Sequence, residues 1–167
     1  MPIYLGSQKL KELYVGGQKI KEAWTLVDGV MRKVYTSFLP MGATRTADGS
    51  ITATTPTKTV GWVANPEFPG SVIVSNGLRV NGTKAAVLKF SGTFYWSWTG
   101  AMNVAAYVNG VQRGATYSWN YPNGYVNTPH SGSIPISVAS GEVVDLYFWA
   151  AIGFAVTIRA DAKWSVE

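Results

Sequence analysis

Acid–base and nucleophilic chemistry require side chains that titrate or attack, held within reach of one another. This sequence has few. It contains no Cys, which excludes disulfides, thiolate chemistry and Cys-based metal sites. His130 is the only histidine, too few for a histidine-built triad or zinc centre. The carboxylates are Glu12, Glu22, Asp28, Asp48, Glu67, Glu142, Asp145, Asp161 and Glu167. Within the main body only Glu142 and Asp145 lie close together. Three apart on a strand, they point to opposite faces and form no acid pair by local geometry. The glycines are scattered at turns rather than gathered into a phosphate loop, and no Asp-rich loop supports calcium. The expectation is a chain with no catalytic residue, no metal and no cofactor, and not an enzyme.

Binding chemistry has a better candidate. A polar, aromatic stretch read as a long loop over 114–133 carries Tyr117, Trp119, Tyr121 and Tyr125, interleaved with Asn120, Asn123 and Asn127. Flat rings and amides suit a glycan-binding tip. The same residues suit an interface between subunits, where Tyr and Trp act as anchors. They also suit an ordered loop packed on its own domain. Composition alone leaves all three open.

These side chains need elements to position them. At 167 residues the chain amounts to one domain and a small appendage. Hydrophobic residues at 47% can fill a core, and 18 Gly with 7 Trp and 9 Tyr favour strands and turns over helices. The net charge of +5 divides as +3 over 1–35 (six basic, three acidic) and +2 over the rest (eight and six). With no block of like charge, no nucleic-acid channel is indicated. The opening MPIYLGSQKLKELYVGG lacks a basic leader followed by an apolar stretch, so no cleavable signal is expected. The apolar run over 147–156 is too short to span a bilayer.

The opening residues repeat. IYLGSQKLKE (3–12) is followed by LYVGGQKIKE (13–22), and a degenerate third unit, AWTLVDGVMRKVY (23–35), keeps the aromatic residue and the Gly-centred turn. A period of ten fits a short strand, a tight turn and a second short strand. Hairpins this small bury little and need a partner surface. We therefore read 1–35 as a docking element, with Tyr4, Gly6, Tyr14, Gly16, Trp24 and Tyr35 as its contact residues; the alternative is an N-terminal meander packed on its own domain. Residues 36–59, with eight Thr and little periodicity, read as a connector. From 60 to 167, seven or eight short strands alternate with turn signals such as Asn109-Gly110 and Ser140-Gly141. This predicts an all-β fold, an antiparallel jelly-roll sandwich preceded by a small β-hairpin or meander repeat.

The run FSGTFYWSW, AAYVNGVQRG, SIPISVASGEVVDLYFWA and FAVTIRADAKWSV resembles the tumour-necrosis-factor-like and complement-globular-head-like jelly rolls of bacteriophage virion proteins. Here Gly141-Glu142 stands where that family has Gly-Asp. The tandem Tyr-x-Gly-x-x-Lys units ending at Val34-Tyr35 resemble the N-terminal stretches of minor tail proteins of tailed phages. The resemblance implies a structural virion protein whose N-terminus docks on other virion proteins of the tail. The jelly roll would then project outward, often as a trimer, and touch a host-surface glycan. It also implies assembly in the host cytoplasm; the charge distribution and the short apolar run separately lead us to expect no nucleic acid bound and no membrane inserted. A capsid decoration or head-fibre protein, or a free carbohydrate-binding module, are the alternatives.

Overall fold

The computed structural model describes residues 38–121 and 126–167 in full and, within 1–37, the backbone of the strands alone. The ten-residue repeat forms hairpins. β1 (Tyr4–Leu5) pairs with β2 (Gln8–Lys9), β3 (Tyr14–Val15) with β4 (Gln18–Lys19), and β5 (Glu22–Val27) with β6 (Val30–Thr36). The first two share one register, Tyr4 opposite Lys9 and Tyr14 opposite Lys19. Each hairpin is its own two-stranded sheet, and among the described residues no ladder joins them to one another or to the larger sheets.

The body is a sandwich of two antiparallel sheets, and every described regular element is a strand. In chain order its strands begin with β7 (Met41–Arg45), β8 (Gly49–Ile51), β9 (Thr57–Lys58), β10 (Trp62–Ala64), β11 (Ile73–Val74) and β12 (Gly77–Arg79). Then come β13 (Lys84–Trp96), β14 (Gly100–Val108), β15 (Val111–Tyr121) and β16 (Val126–Val138). β17 (Val143–Ala150), β18 (Val156–Ile158) and β19 (Lys163–Val166) complete the chain. One sheet runs β10-β7-β19-β13-β18-β8, with β16 on the other edge of β13; the second runs β11-β12-β17-β14-β15, with β9 beside β17.

Alternation explains the core. Even-numbered residues of β13 (Leu88, Phe90, Phe94, Trp96), β14 (Met102, Val104, Ala106, Val108) and β17 (Val144, Leu146, Phe148, Ala150) are buried between the sheets. Each such Leu, Val or Phe contributes about 1.5–3 kcal/mol on leaving water. The hairpin between β14 and β15 turns at Asn109 (φ 50°) and Gly110 (φ 81°), the left-handed pair that a two-residue turn demands.

Two sequence expectations fail here. Residues 36–59 are not a connector: β7 lies between β19 and β10, with Met41, Ala43 and Arg45 buried, and β8 and β9 extend each sheet. Arg45 ties this segment inward, its Nη1 donating to the Val60 carbonyl at 2.7 Å and its Nε to the Ala47 carbonyl at 3.2 Å. Thr-rich sequence is compatible with extended backbone in a sheet, so low periodicity did not mean low order. The stretch 114–133 is likewise not a long loop. It is most of β15 and β16, and β16 pairs with β13 along its whole length. β16 is a sheet edge, where Pro129 and Pro135 fit because one side of the strand needs no donor.

β13 is long because two shorter strands share one of its edges. β19 covers Leu88–Ser91 and β18 covers Phe94–Trp96, with residues 159–162 bulging between them. Asp161 clamps the junction, accepting from the Thr93 N–H at 3.0 Å and its hydroxyl at 2.6 Å. A Cβ on Gly92 would lie 2.6 Å from the Cβ of Ala162 and 2.7 Å from its Cα. Gly92→Ala must therefore displace backbone, and it is expected to cost about 1–3 kcal/mol, read as a lower urea midpoint at unchanged slope.

Candidate functional site

Three of the four aromatic residues singled out over 114–133, Tyr117, Trp119 and Tyr121, point inward. β15 places Tyr117, Trp119 and Tyr121 on its inner face, opposite Val104, Met102 and Gly100 of β14. Trp119 stacks on His130 (centroids 4.2 Å apart, planes 8° apart) and meets Phe94 and Phe148 edge-on. Tyr117 meets Phe90 edge-on at 5.3 Å, and a Cβ on Gly132 would strike both of these rings. The cluster fills the side of the sandwich where β15 and β16 come together. Tyr121 is only 1% exposed, its hydroxyl turned to the carbonyls of Phe94 and Val126. Burial takes Tyr121 out of any surface contact, while Tyr117 and Trp119 are half-buried. Tyr125 lies outside the described residues, as do Gly6 and Gly16. Tyr4, Tyr14, Trp24 and Tyr35 lie on the hairpin strands β1, β3, β5 and β6.

Tyr121→Phe leaves two carbonyls without their shared donor. The expected loss is about 1–3 kcal/mol of stability, measured by denaturant unfolding, with the fold retained.

His130 sits among Phe90, Tyr117 and Trp119, none of them charged. Its Nε2 lies 3.3 Å from the Tyr117 hydroxyl. Burial lowers its pKa from 6.5. Above that value the ring is neutral in both folded and unfolded chains. As pH falls below 6.5 the unfolded chain takes up a proton that the folded one resists, so stability drops until the folded pKa is passed. Unfolding free energy should fall as the pH is lowered through 6.5, and His130→Phe should flatten that slope; an unchanged slope would contradict the assignment.

The outer face of the β13 sheet carries a groove of about 480 Å³. Its lining includes Ser91, Ser131, Ser133 and Ser165, with Phe68 and two ion pairs at its margin. Lys89 lies 2.6 Å from Glu167 and Lys163 lies 3.2 Å from Glu67. Hydrogen bonds from Lys163 and Asn65 hold the Glu67 carboxyl below the usual range, and those from Lys89 and Ser165 do the same for Glu167. A general acid needs the opposite shift, so neither carboxylate is set up to donate a proton. Among the described residues no three His, Asp or Glu side chains gather in a way that could hold a metal ion. No described helix is long and apolar enough to cross a membrane.

The exposed aromatics are Trp98 and Phe154, neither of them among the residues singled out from the sequence. Trp98 and Phe154 stack at 5.1 Å with planes 18° apart, beyond the ends of β13 and β18. A signal was available: each follows the last buried residue of its strand or precedes the first, and each lies within two residues of a glycine, Gly100 or Gly153.

No family model matches the chain, and no curated protein matches it. Solved structures do. The chain is similar to the Eiger TNF of S. frugiperda, with a TM-score of 0.51 and 9% identity over 77% of this chain and 90% of that one. It is also similar to murine APRIL (0.45, 12%, covering 78% and 98%) and to the PRD1 vertex protein P5 (0.44, 13%, covering 96% and 87%). At such identity the likeness to the Eiger structure concerns fold alone: the body is an all-β, TNF-like jelly-roll sandwich.

Proposed function

We propose that this chain is a structural protein of a phage virion, a minor tail protein that docks through its N-terminal hairpins and carries the jelly roll outward. The observation behind this reading is the separation of the two parts. Among the described residues the hairpins keep their ladders to themselves, and the sandwich has a continuous core drawn from residues 41–166. Two strands of two residues each make a hairpin that is marginal in water. A larger surface to grip is what such units lack.

The protein acts as a homo-oligomer, a trimer by the resemblance of its sequence. In support, β15 and β16, 11 and 13 residues long, are both sheet edges, and long edges call for cover. The prolines of β16 disfavour a continuous ladder across the contact, which leaves side-chain packing as the means.

Light scattering should return three times the mass of the 18.0 kDa chain. A chain lacking residues 1–36 should stay folded and soluble but fail to enter particles. Labelled particles should carry a few copies at the tail. Label spread over the shell would favour a capsid decoration protein, and an unfolded truncation would overturn the two-part reading.

A further inference from the structure

β13 gives the body a direction. At about 3.3 Å per residue its 13 residues span roughly 40 Å. At its Lys84 end the chain enters from the hairpins: Lys84 Nζ lies over the Phe38 ring at 5.0 Å, and the Leu39 N–H donates to Asn81 Oδ1. At its Trp96 end four connections converge. Trp96 pairs with Val126 and Val156, Val156 with Ile51, and Gly100 with Tyr121. The connections are also tied together, Ala150 N–H to the Ala53 carbonyl at 3.0 Å and Ala151 N–H to the Ala101 carbonyl at 2.9 Å.

Four large apolar side chains are exposed at this far end: Trp98 (45%), Phe154 (44%), Val126 (45%) and Ile152 (40%). Gathered exposure of this kind marks a contact surface, where scattered single residues would not. The end also lacks formal charge. None of the 14 Lys and Arg or 9 Asp and Glu falls in 49–57, 96–101, 126–128 or 150–158. The charges that flank these segments are paired, Arg159 with Asp48 at 2.7 Å and Lys58 with Asp145 at 2.7 Å. The connections at this end carry exposed hydroxyls instead, those of Thr52, Thr54, Thr55 and Thr99.

We propose that this end is a binding site for a neutral saccharide, with the stacked rings of Trp98 and Phe154 as its platform. The C–H face of a sugar lies against the electron-rich face of an aromatic ring, and threonine hydroxyls match sugar hydroxyls without needing charge. Phosphate, carboxylate and anionic lipid would each call for a cation that this end does not offer. The proposal rests on the docking reading only for its direction, since the site lies at the end of β13 away from Phe38 and Leu39.

The test uses the full chain, with saturation-transfer NMR and calorimetry. Neutral probes are maltotriose, cellotriose, lactose and the N-acetylglucosamine trimer; charged probes are sialyllactose and phosphatidylglycerol vesicles. At least one neutral probe should bind. Trp98→Ala and Phe154→Ala should each weaken it by at least about ten-fold, while Trp98→Phe, which keeps a ring, and Arg113→Ala, at the other end, should hold it within a few-fold. The site is refuted if wild type binds no probe, if it prefers a charged one, or if both alanine variants bind as wild type does. It is equally refuted if Trp98→Ala abolishes self-association instead, which would make this end a contact between copies. A chain that enters particles yet binds no probe removes the saccharide site and leaves docking intact; one that binds but never enters particles does the reverse.

Discussion

The close approach of Ala162 to Gly92 is the constraint on which the rest of the body depends. With no side chain at 92, the bulge at 159–162 can sit against β13, and one long strand can serve two shorter ones. Asp161 then satisfies the Thr93 backbone donor at the break. Even-numbered side chains stay on the inner face on both sides of it, so Phe90 and Phe94 enter the same core. The length of the body and the separation of its two ends follow from that junction.

Strands with strict alternation and a clear turn were legible from residue types. The run Met102 to Val108, its Asn109-Gly110 turn and the run Val143 to Ala150 emerge where alternation and turn chemistry predict them. β15 was hidden in plain view. Tyr117, Trp119 and Tyr121 recur every second residue, which is the strand period, but Gly114 and the Pro- and Asn-rich sequence around them carry the composition of a loop. Edge strands tolerate such composition because half of their backbone groups need no partner in the sheet. β7 was hidden differently: its Met-Gly-Ala-Thr-Arg sequence is small and mixed because the Phe68 ring lies against Gly42 and Arg45 turns back on its own segment.

Placement of the aromatics was the least legible feature. An aromatic side chain looks the same in sequence whether it closes a core or caps an open end. The deciding facts are registers: Tyr121 falls opposite Gly100 inside the sandwich, whereas Trp98 falls past the last pair of β13. A shift of two residues separates a wall from a platform, and no local pattern reports it.

Among the described residues each hairpin closes its own ladder, so the ten-residue unit is self-contained in its backbone pairing. A unit can be gained or lost without moving a single register in the sandwich. Grips that are individually feeble multiply when tethered in series, since each one formed raises the effective concentration of the next. On the docking role proposed above, holding strength becomes a matter of repeat number, adjustable by duplication, while the jelly roll is free to diverge at its own pace.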